Sequence, residues 1–172
     1  TELADELLGG NLSAGPTRLT TASAACVPQV TSVGALDMCN FGGRSSVPNE
    51  YASRKLHEHN AQVTLMRTNE EENEALGKRI VERIIEGRGR RRSRRTAPVR
   101  ILFPLRGISG IDAEGASFEG TKEREALLKG INQALESANA PDVTIETVPA
   151  HINDEAFAQA AVERLVKFLE SR

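Results

Sequence analysis

The sequence predicts an α/β fold: a mainly parallel β-sheet with helices on both faces, three layers in all. Two observations carry this. Beyond residue 62, apolar strand-like runs alternate with amphipathic helical stretches, strand then helix, three times over. That alternation is the mark of parallel strands joined by right-handed crossovers. The second is capacity: 172 residues with 39% hydrophobic content can bury one proper core, so residues 1–172 are expected to form a single α/β domain.

The elements follow in order. Thr1 to Leu8 places Leu3, Leu7 and Leu8 at helical spacing and stops at Gly9-Gly10, a helix with a glycine end. Pro16 and the alanine-rich run to Ala25 suggest a second helix, and "VPQVTSVG" (Val27 to Gly34) a buried strand. From Gly34 to Ala61 there is little periodicity, and a loop of that length inside a compact domain is usually functional. "QVTLMR" (Gln62 to Arg67) alternates as a strand. The helix after it has Thr68 or Asn69 as N-cap, acidic residues in its first turn, a stripe of Leu76, Ile80, Ile84 and Ile85, and Gly87 at its end. "VRILFPL" is a continuous apolar strand, followed by the glycine-rich "RGISGIDAEGASFEG". A helix over 121–138 turns Leu127, Leu128, Ile131 and Leu135 inward; "VTIETVPA" is a strand, "HIND" a polar loop and the remainder a last helix.

Composition narrows the function classes. A formal net charge of −2 gives no general attraction to nucleic acid, and with 3% aromatic residues and no Trp, base stacking has few platforms. No apolar run approaches the ~20 residues of a membrane span. Cys26 and Cys39 have neither disulfide-scaffold nor zinc spacing, and no secretory signal is present, so a cytoplasmic setting is expected. The chain opens without Met, which suggests a piece or a processed product of something longer.

In parallel sheets the loops leaving the carboxyl ends of strands line the ligand crevice. Here these loops follow Val33, Leu105 and Val148, and they should converge on one rim with Arg67 and Thr68. "LLGGNLSAG", "VGALDMCNFGG" and "LRGISGIDAEG" put glycine beside small polar residues, which lets main-chain N–H groups approach a phosphate, with Arg67, Arg106 and His59 nearby. None matches a Walker or dinucleotide pattern, and tight αβ turns are the alternative. His57-x-His59 in an extended segment would share one face and, with His151 and Asp112 or Asp154, could chelate a metal, but a phosphate or polar-ligand contact is the leading reading and plain surface or structural histidines come ahead of a metal too. Asp37 and Asp112 are candidate magnesium ligands, and Asn153 or Asp154 reads as an N-cap. Ser109 lies in no nucleophile elbow. Six arginines fall between Arg88 and Arg95, in a stretch over 88–97 expected to be a solvated, mobile loop or else a nonspecific nucleic-acid contact.

Five blocks taken together, "ELADELLGGNLSAGPTRL", "PQVTSVGALDMCNFG", "HEHNAQVTLMRTNEEE", "LFPLRGISGID" and "HINDEAFA", resemble the C-terminal half of the Tm-one-like ATP-binding family, uncharacterised protein family 0261. The resemblance implies two Rossmann-like subdomains with ATP in the cleft between them, this chain being the second. It also implies nucleotide contacts at Gly9, Gly10, Asn11, Gly34, Asp37, Asn40, His59, Asn60, Arg67, Gly107, Ser109, His151 and Asn153. On that basis the chain is expected to supply one wall of an ATP site, with Mg²⁺ as a possible companion of the nucleotide. The other wall would come from a missing N-terminal subdomain or a partner chain, and a homo-oligomer is compatible with this. Two alternatives remain: a hydrolase or ligase using His59 or His151 as general acid/base, or a protein-interaction module.

Overall fold

A computed structural model describes residues 1–90 and 96–171. The elements are α1 (Glu2–Leu8), α2 (Thr20–Ala24), β1 (Gln29–Ser32), β2 (Met38–Phe41), two short 3₁₀ turns (Arg44–Ser46 and Asn49–Tyr51), β3 (Leu56–Asn60), β4 (Val63–Arg67), α3 (Glu70–Gly89), β5 (Val99–Pro104), α4 (Thr121–Ala138), β6 (Val143–Val148) and α5 (Glu155–Glu170). They build a parallel sheet of order β1-β5-β6 and, separately, an antiparallel sheet of order β2-β4-β3.

The parallel sheet is the centre of a three-layer α/β sandwich of Rossmann-like type. β5 lies in the middle and is apolar on both faces, as a strand covered from two sides must be. Val99, Ile101 and Phe103 point toward α3 and α4 and join Leu76, Ile80, Ile84, Leu127 and Ile131 in the main core. Leu102 points the other way, with Val148, Ala150 and Phe157 under α5. α3 and α4 approach closely because Gly77 and Gly130 sit at their crossing. A Cβ on Gly77 would strike the Leu127 carbonyl oxygen, and one on Gly130 the Glu74 carbonyl oxygen. The outer face of α5 leaves Val162, Leu165, Val166 and Leu169 exposed.

The helix ends follow the sequence signals. Gly9 caps α1 at φ 76°, where glycine avoids the strain a side chain would bring. Asn69 opens α3 with a capping box: its side chain accepts from the Glu72 N–H while the Glu72 carboxylate accepts from the Asn69 N–H.

Three expectations change. Residues 34–61 are not one irregular loop, since β2 and β3 lie within them. β4 is a strand as expected, but it is buried at four of its five positions, pairs antiparallel with both β2 and β3 and stands outside the parallel sheet. The third concerns the arginine-rich stretch. α3 runs past Gly87 to Gly89, so Arg88 is a buried helical residue that donates to Asp142 and to the Ala97 carbonyl, and Arg90 pairs with Glu86. The rest of that stretch, residues 91–95, lies outside the described residues. Among the described residues no helix is long and apolar enough to cross a membrane.

Candidate functional site

The three crossover loops meet at the carboxyl end of the parallel sheet, fastened by main-chain bonds. Ala35 N–H donates to Ile108 O at 2.8 Å, Arg106 N–H to Ala150 O at 3.1 Å, and Ile152 N–H to Gly107 O at 3.0 Å. Gly107 has φ 143°, and a Cβ there would strike Asp112 O and the His151 ring, so only glycine lets the loops close so tightly. Gly34 is under similar pressure: a Cβ would lie 3.1 Å from Ile152 Cδ1.

Beneath the rim is a buried polar centre. Asp112 is wholly inaccessible. Its Oδ1 accepts from Arg124 Nη1 at 2.7 Å, the Gly120 N–H at 3.1 Å and Arg67 Nη2 at 3.4 Å, while Oδ2 accepts from the Ile108 N–H at 3.0 Å. Arg67 also donates to Asp37 O at 3.2 Å. Asp37, equally inaccessible, accepts from the Ser109 hydroxyl at 2.7 Å through Oδ2, and its Oδ1 has no partner among the described residues. Burial pushes the Asp37 carboxyl above the usual aspartate range, against the opposing pull of Ser109 and Arg67.

His151 stands over this centre with both ring nitrogens engaged. Nε2 lies 2.8 Å from Ser109 O, and Nδ1 lies 3.1 Å from the Asn153 N–H. A carbonyl only accepts and a main-chain N–H only donates, so the ring is the neutral tautomer with its proton on Nε2. That assigns His151 to loop positioning and leaves neither nitrogen available for acid–base work in this arrangement. Asp154 is the N-cap of α5, but its carboxylate turns back to the His151 N–H at 2.8 Å.

Gly34, Asp37, Arg67, Gly107, Ser109, His151 and Asn153 are thus brought together as the sequence suggested. Gly9, Gly10, Asn11 and Asn40 gather instead around Asp5, a residue sequence reasoning passed over. Asp5 Oδ1 accepts from the Asn40 N–H at 2.8 Å and Oδ2 from the Leu12 N–H at 2.7 Å, and the Asn11 N–H donates to Asn40 O at 2.8 Å. Gly10 is packed against Asp5 and Cys39, and burial followed by the Asp5 charge pushes the Cys39 thiol up, which keeps it inert. His59 and Asn60 lie apart from both groups, exposed at the β3–β4 hairpin, where Asn60 Oδ1 takes the Gln62 N–H at 2.8 Å. His57 is also in β3 but turns toward the loop before α4, with Nδ1 3.3 Å from Ser117 Oγ and its ring edge-on to Phe118. Among the described residues no group of three or more His, Cys, Asp or Glu side chains could hold a metal. Arg124 was the second omission; read as part of an amphipathic helix, it is the strongest partner of Asp112.

What the rim offers a ligand is a depression of about 650 Å³ lined by Arg106, Glu114, Glu119, Arg124, His151 and Asp154. Arg106 is exposed, and among the described residues its guanidinium has no ion-pair partner. Below it, Asp37 and Asp112 face Arg67 and Arg124, with Glu123 a further carboxylate 3.8 Å from Arg67, and at the mouth itself the exposed Arg106 stands beside Glu114, Glu119 and Asp154.

Comparison with known proteins places this architecture. A UPF0261 protein of Clostridium tetani is 45% identical over 170 residues, covering 99% of this chain and 39% of that protein. The tomato (Solanum lycopersicum) ToMV resistance protein Tm-1(GCR237) is 36% identical over 170 residues, covering 99% of this chain and 21% of its own length. A UPF0261 protein of Rhizobium meliloti is 39% identical over 162 residues, covering 94% of this chain and 38% of its own length. The chain therefore spans less than half the length of these relatives. The profile of one family domain matches residues 1–169, and the chain belongs to the uncharacterised protein family UPF0261 as its C-terminal domain.

Proposed function

We propose that this domain supplies one wall of a nucleotide site, with ATP as the expected ligand, and that the remainder of the longer family protein supplies the other wall. One observation carries the reading: three loops locked on one rim leave the Arg106 guanidinium, unpaired among the described residues, at the mouth of a depression. Polyphosphate is the chemistry suited to an exposed guanidinium beside loop N–H groups, since charge-assisted bonds to phosphate oxygens are the strong ones. The family resemblance supports ATP as the particular nucleotide. Magnesium does not fit Asp37 and Asp112. Asp112 already accepts from two arginines and two main-chain amides, and both carboxylates are wholly buried, whereas Mg²⁺ keeps several waters. The reading assigns no metal ligand to this chain.

The test is thermal unfolding with and without ATP, with and without Mg²⁺, for this chain and for the full-length Clostridium tetani relative. Stabilisation is expected in the full-length protein and a weaker one here, with Arg106→Ala and the equivalent change in the relative reducing both. No nucleotide-dependent shift in either protein sinks the reading.

A further inference from the structure

β1 is an edge strand. Its neighbour β5 pairs with it in parallel, Gln29 opposite Val99 through Ser32 opposite Leu102, and the Gln29 N–H donates to Pro98 O at 3.1 Å. In a parallel ladder alternate residues turn their main-chain groups to the same neighbour, so Gln29 and Thr31 face β5. Val30 and Ser32 present N–H and C=O on the opposite side, where no strand stands among the described residues. β1 is only half-buried and Ser32 is exposed, in contrast to the enclosed β5.

Beside that edge runs a cleft of about 890 Å³ walled by α1 and α2 on one side and β1 on the other. α1 and α2 lie on the face already occupied by α3 and α4. Leu3 and Ala4 belong to the same core as Leu76 and Ile80, and Gly87 of α3 is pressed against Thr20. α1 sits toward the carboxyl end of the sheet, where Asp5 bonds Asn40, just beyond the rim residue Asp37. α2 then leads through Val27 into the amino end of β1. Helices that descend one face and feed a parallel strand form the second part of a strand–helix–strand unit. The first strand of that unit would lie beside β1, in the cleft, with its carboxyl end at Thr1.

We propose that the free edge of β1 accepts a parallel strand from the polypeptide that precedes this domain in its longer relatives. The added strand bonds the outward groups of Val30 and Ser32 and extends the three-stranded sheet by one. The occupant follows from the family: the matched domain is the C-terminal one, and it covers 39% of the Clostridium tetani protein, so polypeptide enters the domain at the position of Thr1 there. An open edge is also a template for unwanted pairing, which a covalently attached strand removes. The proposal does not depend on the nucleotide reading.

Amide hydrogen exchange tests it on two proteins: the 172-residue chain and the same chain carrying, ahead of Thr1, the residues that precede the matching region in the Clostridium tetani relative. The Val30 and Ser32 amides should exchange about 100-fold more slowly in the extended chain, with Gln29 and Thr31, already bonded to β5, little changed. A second measurement uses Val30→Pro. Among the described residues its N–H bonds nothing in the short chain, so there the substitution should cost only Val30 packing against the Leu102 cluster, while the extended chain should lose several degrees of melting temperature more. Equal exchange at Val30 and Ser32 in both forms overturns the proposal. So does protection that rises with the concentration of the short chain, since the edge would then belong to a second copy. Should Val30→Pro fail to fold, the exchange data on the unsubstituted chains decide alone.

Discussion

The Ser109 hydroxyl donates to Asp37 Oδ2 at 2.7 Å, and this bond fastens the loop after β5 to the segment after β1 across 72 positions of sequence. Because the second oxygen of Asp37 has no partner among the described residues, Ser109→Ala strands a buried carboxylate. The Ser109 Oγ also accepts from the Ile111 and Asp112 N–H groups, at 3.2 and 3.1 Å, and these bonds go with it. A loss of about 1–3 kcal/mol is expected in urea unfolding. A change within experimental error would mean that water replaces the hydroxyl without penalty.

Asp37 makes stability depend on pH. Burial raises its folded pKa above the ordinary value of 3.8, so between the two values the folded chain holds more protons than the unfolded one. The Asp37 contribution is therefore fully present below about pH 3.8 and is lost as pH climbs through the folded pKa. Asp37→Asn carries no such proton. Its melting temperature relative to the unsubstituted chain should improve on going from about pH 4 to about pH 7. A difference that stays constant over that range contradicts the assignment.

Asp112 compensates two buried guanidiniums. Asp112→Ala leaves the buried Arg124 without its carboxylate and Arg67 with only Glu123 at 3.8 Å, at an expected cost of about 3–5 kcal/mol. Asp112→Asn keeps an acceptor for one of the amides from Ile108 and Gly120 and should cost less. Guanidinium denaturation of both variants orders them. If the alanine variant is no worse than the asparagine one, charge is not what this residue supplies.

Two glycines of α3 should respond in opposite directions to the same change. Gly77→Ala places a methyl group against the Leu127 carbonyl and should lose about 1–3 kcal/mol by forcing α3 and α4 apart. At Gly89 a Cβ would meet nothing within 4 Å among the described residues, so Gly89→Ala gains helix propensity of up to about 1 kcal/mol. Thermal melts of the two variants should fall on either side of the unsubstituted chain.

The parallel sheet was legible in the sequence because β5 and β6 each precede a long amphipathic helix. The antiparallel sheet was not. β2 is a four-residue strand buried on both faces, which leaves no alternation to read. β3 is "LHEHN", an exposed edge strand whose polar side chains look like a loop. β4 was readable as a strand, but a strand signal does not say which sheet receives it. In the site, Gly107, Ser109 and His151 followed from the rule about strand ends. Gly9 and Gly10 gave the same signal for another reason, a helix cap and a close approach to Asp5. Asp5 escaped notice because its partner Asn40 is 35 positions away, a distance no local pattern spans.

The separations across the rim also set an order in time. Asp37 and Ser109 are 72 positions apart, and His151 and Ser109 are 42 apart. The α3 capping box, by contrast, closes over three positions. Loop-closure entropy rises with separation, so contacts at the rim should form after the helices, and the 72-position bond after β5 meets β6 across 44 positions. The same contacts are then the first expected to loosen as the chain unfolds. A ligand that bridges them would act as a latch, slowing unfolding more than it speeds folding.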